Sequence, residues 1–130
     1  MYVLDTNTLI YYFKGQGQVA QNLVAVSPQD IVISTIVVFE LQVGIAKSNS
    51  PEKRTQQLQQ LLSRVNLVSF DRDAALAAAT IRAQLEQQGT PIGPLDVLIA
   101  GVAVSRQATI VTRNVGEFSR VIGLSIVNWY

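Results

Sequence analysis

The stretch PIGPLDVLIAGVAV, residues 91–104, sets the carboxylate of Asp96 two residues after Pro94 and directly before eight residues without a polar side chain. Such a run belongs in the interior, where an ionised carboxylate is costly unless something compensates it. Three other acids raise the same question. Asp5 ends the apolar run YVL. Glu40 has Ile36, Val37, Val43 and Gly44 three and four residues away, so on a helix it shares an apolar face. Glu117 follows Asn114 by three residues. Each has an ordinary alternative. Asp5 could cap the next helix, with Thr6 and Asn7 competing for that job. Asp96 would be the third residue of its helix, where the macrodipole favours an anion by about 0.3–1 kcal/mol. Glu117 could complete a capping box with Asn114 in place of Ser or Thr, and Glu40 could be a solvated surface charge. The other five acids have simple roles: Asp30 in a loop, Glu52 in a first helical turn, Asp71 and Asp73 as helix caps, Glu86 on a polar helix end.

Taken together, the four acids point to chemistry. Asp5 and Glu117 stand at or just past the carboxyl end of an expected strand, and Glu40 and Asp96 in early helical turns near the same edge. Two carboxylates about 4 Å apart repel by about 4 kcal/mol at an effective dielectric of about 20. Four that converge need protons or cations to coexist. The chain has no Cys and no His, which excludes a disulfide framework, a Cys/His zinc site, and Ser-His-Asp or Cys-His triads. Oxygen donors alone call for a hard cation, Mg²⁺ or Mn²⁺. Such an ion bridges phosphate oxygens and activates a bound water, so the natural reaction is phosphodiester hydrolysis.

Net charge is only +1 over 130 residues, but setting the four acids aside leaves ten basic residues against five acidic ones. An acidic pocket in a basic remainder suits a nucleic-acid substrate. Lys14, Lys47, Arg82 and Arg113 are the candidate backbone contacts, with Lys53, Arg54 and Arg120 beside them. No apolar run approaches the ~18 residues of a membrane span, and the start, MYVLDTN, has neither a basic n-region nor an apolar h-region. A single domain over residues 1–130 in the cytoplasm is expected.

The elements that must position these residues alternate. YVLD (2–5), IVIS (31–34), NLVSF (66–70), ATIVT (108–112) and LSIVNW (124–129) read as strands. TNTLIYYF, residues 35–48, 51–65, 71–89 and 93–107, and NVGEFSRV read as helices, with Ser34 or Thr35, Pro51 and Pro94 as start signals and Gly89 as a stop. The uninterrupted apolar strands suit a sheet covered on both sides. The expected fold is α/β, a three-layer α/β/α sandwich with a mostly parallel central sheet, in which functional groups gather beyond the carboxyl ends of the strands.

The segments LDTNTLIYYFKG, ISTIVVFELQVGIAKS, RAQLEQQGTPIGPLDVLIAGVA, IVTRNVGEFSRVIGL and VNW, in this order and over nearly the whole chain, resemble PIN-domain ribonucleases, specifically the VapC-type toxins of toxin–antitoxin pairs. GTPIGPLDVLIAG together with TRNVGEF resembles the subgroup acting on initiator tRNA, tRNA(fMet). The resemblance implies a core site of Asp5, Glu40 and Asp96, with Glu117 as fourth member. The family often has Asp at that fourth position, which implies a water-mediated role for Glu117. Asn7 and Thr112 fall where the family has polar residues lining the site, implying that they position Asp5 and ordered waters, and Asn114 joins them as a supporting residue. An RNA substrate, a cognate antitoxin covering the site and a toxin homodimer are also implied.

The expected activity is a Mg²⁺- or Mn²⁺-dependent endoribonuclease using a metal-activated water. Two rivals differ in class. DTNT is similar to the D-x-D-x-T loop of phosphatases that form an aspartyl-phosphate, but Asn7 replaces the second acid. A non-catalytic binding module would keep the fold and the acids without Mg²⁺-dependent cleavage.

Overall fold

The computed structural model describes residues 1–130. Five short strands form one sheet: β1 (Tyr2–Leu4), β2 (Ile31–Ser34), β3 (Asn66–Val68), β4 (Thr109–Val111) and β5 (Ser125–Val127). Their order is β3-β2-β1-β4-β5 and every pairing is parallel. The sheet is thus parallel throughout, more uniform than the mostly parallel one expected. Seven helices connect the strands: α1 (Thr6–Lys14), α2 (Val19–Ala25), α3 (Thr35–Ala46), α4 (Pro51–Leu62), α5 (Arg72–Gln87), α6 (Pro94–Ser105) and α7 (Val115–Phe118). No helix is long and apolar enough to cross a membrane.

The strand order dictates the layers. From β1 the chain steps to β2 and β3 in one direction, then returns across β1 to place β4 and β5 on the other side. With right-handed crossovers, α1–α4 lie on one face and α5–α7 on the other. In contact terms, α1 packs on α2 and on α3, α3 on α4, and α5 on α6, while α3 also meets α6. The direction reverses between β1 and β4, the point where open α/β sheets leave a crevice beyond the strand ends.

Local chemistry sets the boundaries. Ser34 caps α3 by accepting a bond from the Val37 N–H at 3.3 Å, and Asp71 caps α5 by accepting from the Ala74 N–H at 2.9 Å. Pro51 and Pro94 start α4 and α6. Asp30, expected in a loop, ends a 3-10 turn. Helix α2 carries no cap and no charged residue, and the sequence reading passed over it.

The apolar run after Asp96 becomes α6, whose residues Val97 and Ile99 to Ala103 are buried. It lies so close to α5 that a β-carbon on Gly101 would stand 2.7 Å from both the Ala74 carbonyl oxygen and the Ala78 methyl. The alanines of α5 and the glycine of α6 therefore work as one tight seam. From Ser105 only three residues lead into β4, so α6 runs back along the strand it feeds. Its first turn, with Asp96, stands over the carboxyl end of the sheet.

Gly101→Ala puts a methyl against a main-chain oxygen that cannot swing away. A loss of roughly 1–3 kcal/mol is expected from such overpacking, read as a lower midpoint in thermal or urea unfolding. An unchanged midpoint would mean that the seam can part.

Candidate active site

Asp5 follows β1 and is only 5% exposed. Its backbone N–H continues the sheet by donating to the Val111 carbonyl at 3.1 Å. One carboxylate oxygen, Oδ1, accepts from the Thr8 N–H at 2.9 Å and so caps α1. The other, Oδ2, accepts from the Thr112 hydroxyl at 2.6 Å. Thr112, just past β4 and fully buried, is itself oriented because its oxygen accepts the Asn114 backbone N–H at 3.0 Å. The cap role and the site role therefore coincide in Asp5, and neither Thr6 nor Asn7 takes the cap.

Glu40 lies in the second turn of α3, where its Oε1 accepts from the Thr6 hydroxyl at 2.7 Å. Its expected apolar face is only half present: Val37 is buried, but Val43 and Gly44 are exposed. Glu40 borders a cleft of about 290 Å³ between α1, α3 and α4, lined by Phe13, Lys14, Leu41, Ile45 and Arg54 among others. Glu117 sits on α7. The capping box expected with Asn114 does not form, because the Asn114 side chain makes no bond to the helix backbone. Its Nδ2 donates instead to Glu117 Oε2 at 2.6 Å, fixing that carboxylate. The end of α7 is tied to the segment before α6 by Arg120, whose guanidinium donates to the Pro91 carbonyl at 3.0 Å.

Asp96 differs from the other three. It is half-buried in the first turn of α6 and folds back toward the helix start, so that a β-carbon on Gly93 would lie 3.0 Å from its Oδ2. Its carboxyl is pushed up to about 6, first by loss of water and then by the negative charges of Asp5, Glu40 and Glu117, with no hydrogen bond to relieve it. Four acids from four segments thus share one electrostatic field. They do not form a closed cage, since no three of them come close enough together to enclose an ion between them. Mg²⁺ does not require such a cage: it keeps several waters and is held through one or two carboxylates. A donor-free Asp96 beside a firmly held Asp5 fits that mode of binding.

Asn7, Lys14, Lys47 and Arg113 lie outside this hydrogen-bonded set. Asn7 is exposed and makes no side-chain bond, so Thr8 and Thr112 are the residues that hold Asp5. Lys14 lines the cleft next to Glu40, and Lys47 is exposed at the end of α3. Arg82 is bound to Glu86 at 2.8 Å in the protein's one ion pair, an exposed one between successive turns of α5. Arg113 stacks on tyrosines. Thr6, Thr8 and Gly93 were missed as site residues. The hydroxyl of Thr6, directly after a buried acid, was the one local clue; Thr8 acts through its backbone N–H and its hydroxyl donates to the Val111 carbonyl.

The family model of the PIN domain matches residues 2–124. The tRNA(fMet)-specific endonuclease VapC of Salmonella typhimurium is 37% identical over 128 residues, 98% of this chain and 97% of the relative. The VapBC2 complex of Rickettsia felis, solved bound to a DNA fragment from its promoter, contains a chain with 37% identity and a TM-score of 0.92, covering 99% of this chain and 98% of that one. A toxin–antitoxin complex from Klebsiella pneumoniae gives 28% identity and a TM-score of 0.77, over 100% and 98% of the two chains.

A pH signature follows from Asp96. Its folded-state value of about 6 lies above the ordinary 3.8, so the folded state holds the proton more tightly than the unfolded one. Stability present below about pH 4 is therefore lost as pH rises through 6. In EDTA the loss should be on the order of 1–2 kcal/mol, after allowance for solvent screening. Asp96→Asn should flatten this slope and raise the melting point at neutral pH. Thermal melts between pH 4 and 7 check it, and equal slopes in the two proteins would remove the field acting on Asp96.

Proposed function

This chain belongs to the PIN-domain family, and we propose that it is a divalent-cation-dependent endoribonuclease, the toxin of a type II toxin–antitoxin pair, with tRNA, initiator tRNA included, as its substrate. The observation that carries this reading is the field around Asp96, where the charges of three other acids meet a carboxylate without a hydrogen-bond donor. The strand order reverses at that same point. The Salmonella relative, an endonuclease by name, supports the substrate class, and the Klebsiella complex supports the antitoxin. Residues 1–130 form one PIN domain in this reading, cytoplasmic, a homodimer, and heteromeric with its antitoxin.

Asp5 and Asp96 would hold Mg²⁺ or Mn²⁺, with Glu40 completing the set or holding one of its waters and Glu117 acting through water. When bound, the cation supplies charge neutralisation on the phosphate and lowers the pKa of a coordinated water. The chain's own residues do the rest. Thr112 and the Thr8 N–H each take one lone pair of Asp5, which leaves one on each oxygen and fixes its direction. Thr6 does the same for Glu40 and Asn114 for Glu117. Asp96 keeps both oxygens free of protein donors. Asn7, standing where the aspartyl-phosphate rival needs its second acid, disfavours that rival.

Purified protein incubated with total RNA should cleave it in Mg²⁺ and leave it intact in EDTA. Asp96→Asn should reduce the rate more than about a hundredfold, and Thr112→Val, which removes the hydroxyl on Asp5, by roughly 10–100-fold. Intact RNA with the wild-type protein in Mg²⁺ would favour the non-catalytic binding module. Separately, 1 mM Mn²⁺ should raise the melting point by a few degrees, since a site with a Kd of about 0.1 mM gains about 1.4 kcal/mol under those conditions. Asp96→Asn should lose that gain, and no shift in the wild type would argue against a site ready to receive the ion.

A further inference from the structure

Arg113 lies in the chain between Thr112, which holds Asp5, and Asn114, which holds Glu117. Its guanidinium carbon sits 3.6 Å from the ring centroid of Tyr130 and 5.6 Å from that of Tyr11. The two rings meet edge to face at 4.8 Å. This seat is built. Gly17 has a φ of +63°, and a β-carbon there would come within 2.9 Å of the Tyr130 backbone and ring, so only a glycine lets Tyr130 lie where it does. Stacking uses the face of the guanidinium and leaves its N–H donors at the edge. Those donors meet no carboxylate, since the protein's one ion pair is Arg82–Glu86. Arg113 is exposed.

We propose that the Arg113 guanidinium, held flat by Tyr130 and Tyr11, grips a backbone phosphate of the RNA strand next to the one being cleaved. This rests on the nuclease reading above and adds a residue to it. The geometry selects a neighbouring phosphate. The Arg113 guanidinium is seated on Tyr130 and Tyr11 and pairs with neither Asp5 nor Glu117, so the phosphate it grips is not the one the acids meet. The charge also has to be kept off the acids: an arginine free to swing onto Asp5 or Glu117 would neutralise them, and the aromatic seat holds it aside. Planar, pre-ordered and unpaired, a guanidinium suits bidentate binding of phosphate oxygens. Arg113 would be a substrate-binding residue, with Tyr130 and Gly17 as positioning residues.

The test uses the full chain and a fluorescein-labelled single-stranded RNA that the wild-type protein cleaves. Binding is followed by anisotropy in EDTA across a salt series, and cleavage in Mg²⁺. Arg113→Gln is expected to raise Kd and KM by roughly tenfold with little change in kcat. It should also lower the slope of log K against log salt by about 0.7, the loss of one single-strand phosphate contact. Arg113→Lys should restore the slope and only part of the affinity. Tyr130→Ala and Gly17→Ala should weaken binding in the same direction, and Tyr130→Phe, which keeps a stacking face, should rescue the loss seen in Tyr130→Ala. Melting curves establish that each variant is folded. Arg113→Gln with wild-type KM and salt slope, in a protein that cleaves RNA, would overturn this proposal alone. A wild-type protein that neither binds nor cleaves any RNA would overturn it together with the nuclease reading.

Discussion

Mutual repulsion among like charges is the constraint on which this molecule turns. Asp5, Glu40 and Glu117 all act on Asp96, and none of the four is in an ion pair. The energy of keeping them together has to come from elsewhere in the fold. Two features anchor the acids: the main chain of Asp5 is bonded into the central strand pair, and Asp96 is carried on a helix seated in the α5–α6 seam. Asp5 continues β1 and is bonded through its main chain to β4, while Gly101 lets α6 settle onto Ala74 and Ala78. Both are rigid, apolar, closely packed units, as a site built against electrostatic strain requires.

The donors chosen to hold the acids are all neutral. Thr6, Thr112, the Asn114 amide and the Thr8 N–H supply directional bonds and no positive charge. A lysine or arginine in any of these places would orient a carboxylate equally well but cancel the negative potential that attracts a cation. The arginines nearest the site are turned to other partners, Arg113 onto aromatic rings and Arg120 onto a backbone carbonyl. The sequence pattern DTNT therefore reads as two threonines serving two different acids, with an exposed asparagine between them.

Much of this was legible in the residues. The alternation of apolar strands and capped helices specified the layers, because Pro51, Pro94, Ser34 and Asp71 act through local geometry that needs no tertiary context. The four acids stood out because their neighbours were apolar or strand-terminal. What escaped had no local signal. Helix α2 is held by packing of Val19 against the core, without a cap or a charge pattern. The Asn114–Glu117 spacing fits a capping box, yet the helix it would cap is four residues long, and the amide finds the carboxylate a better partner. The bond from Thr6 to Glu40 spans 34 residues and that from Thr112 to Asp5 spans 107. Such pairings exist only once the strand order is known.

The pairing of β1 with β4 also governs timing. Tyr2 lies beside Thr109 and Leu4 beside Val111, so the first strand made waits for nearly the last. Contacts this distant in sequence form late, after the intervening loop is closed. A chain still emerging from the ribosome carries Asp5 and Glu40 but has no Thr112 to complete their surroundings. The surroundings of Asp5 are therefore completed only once β4 has been made and docked beside β1.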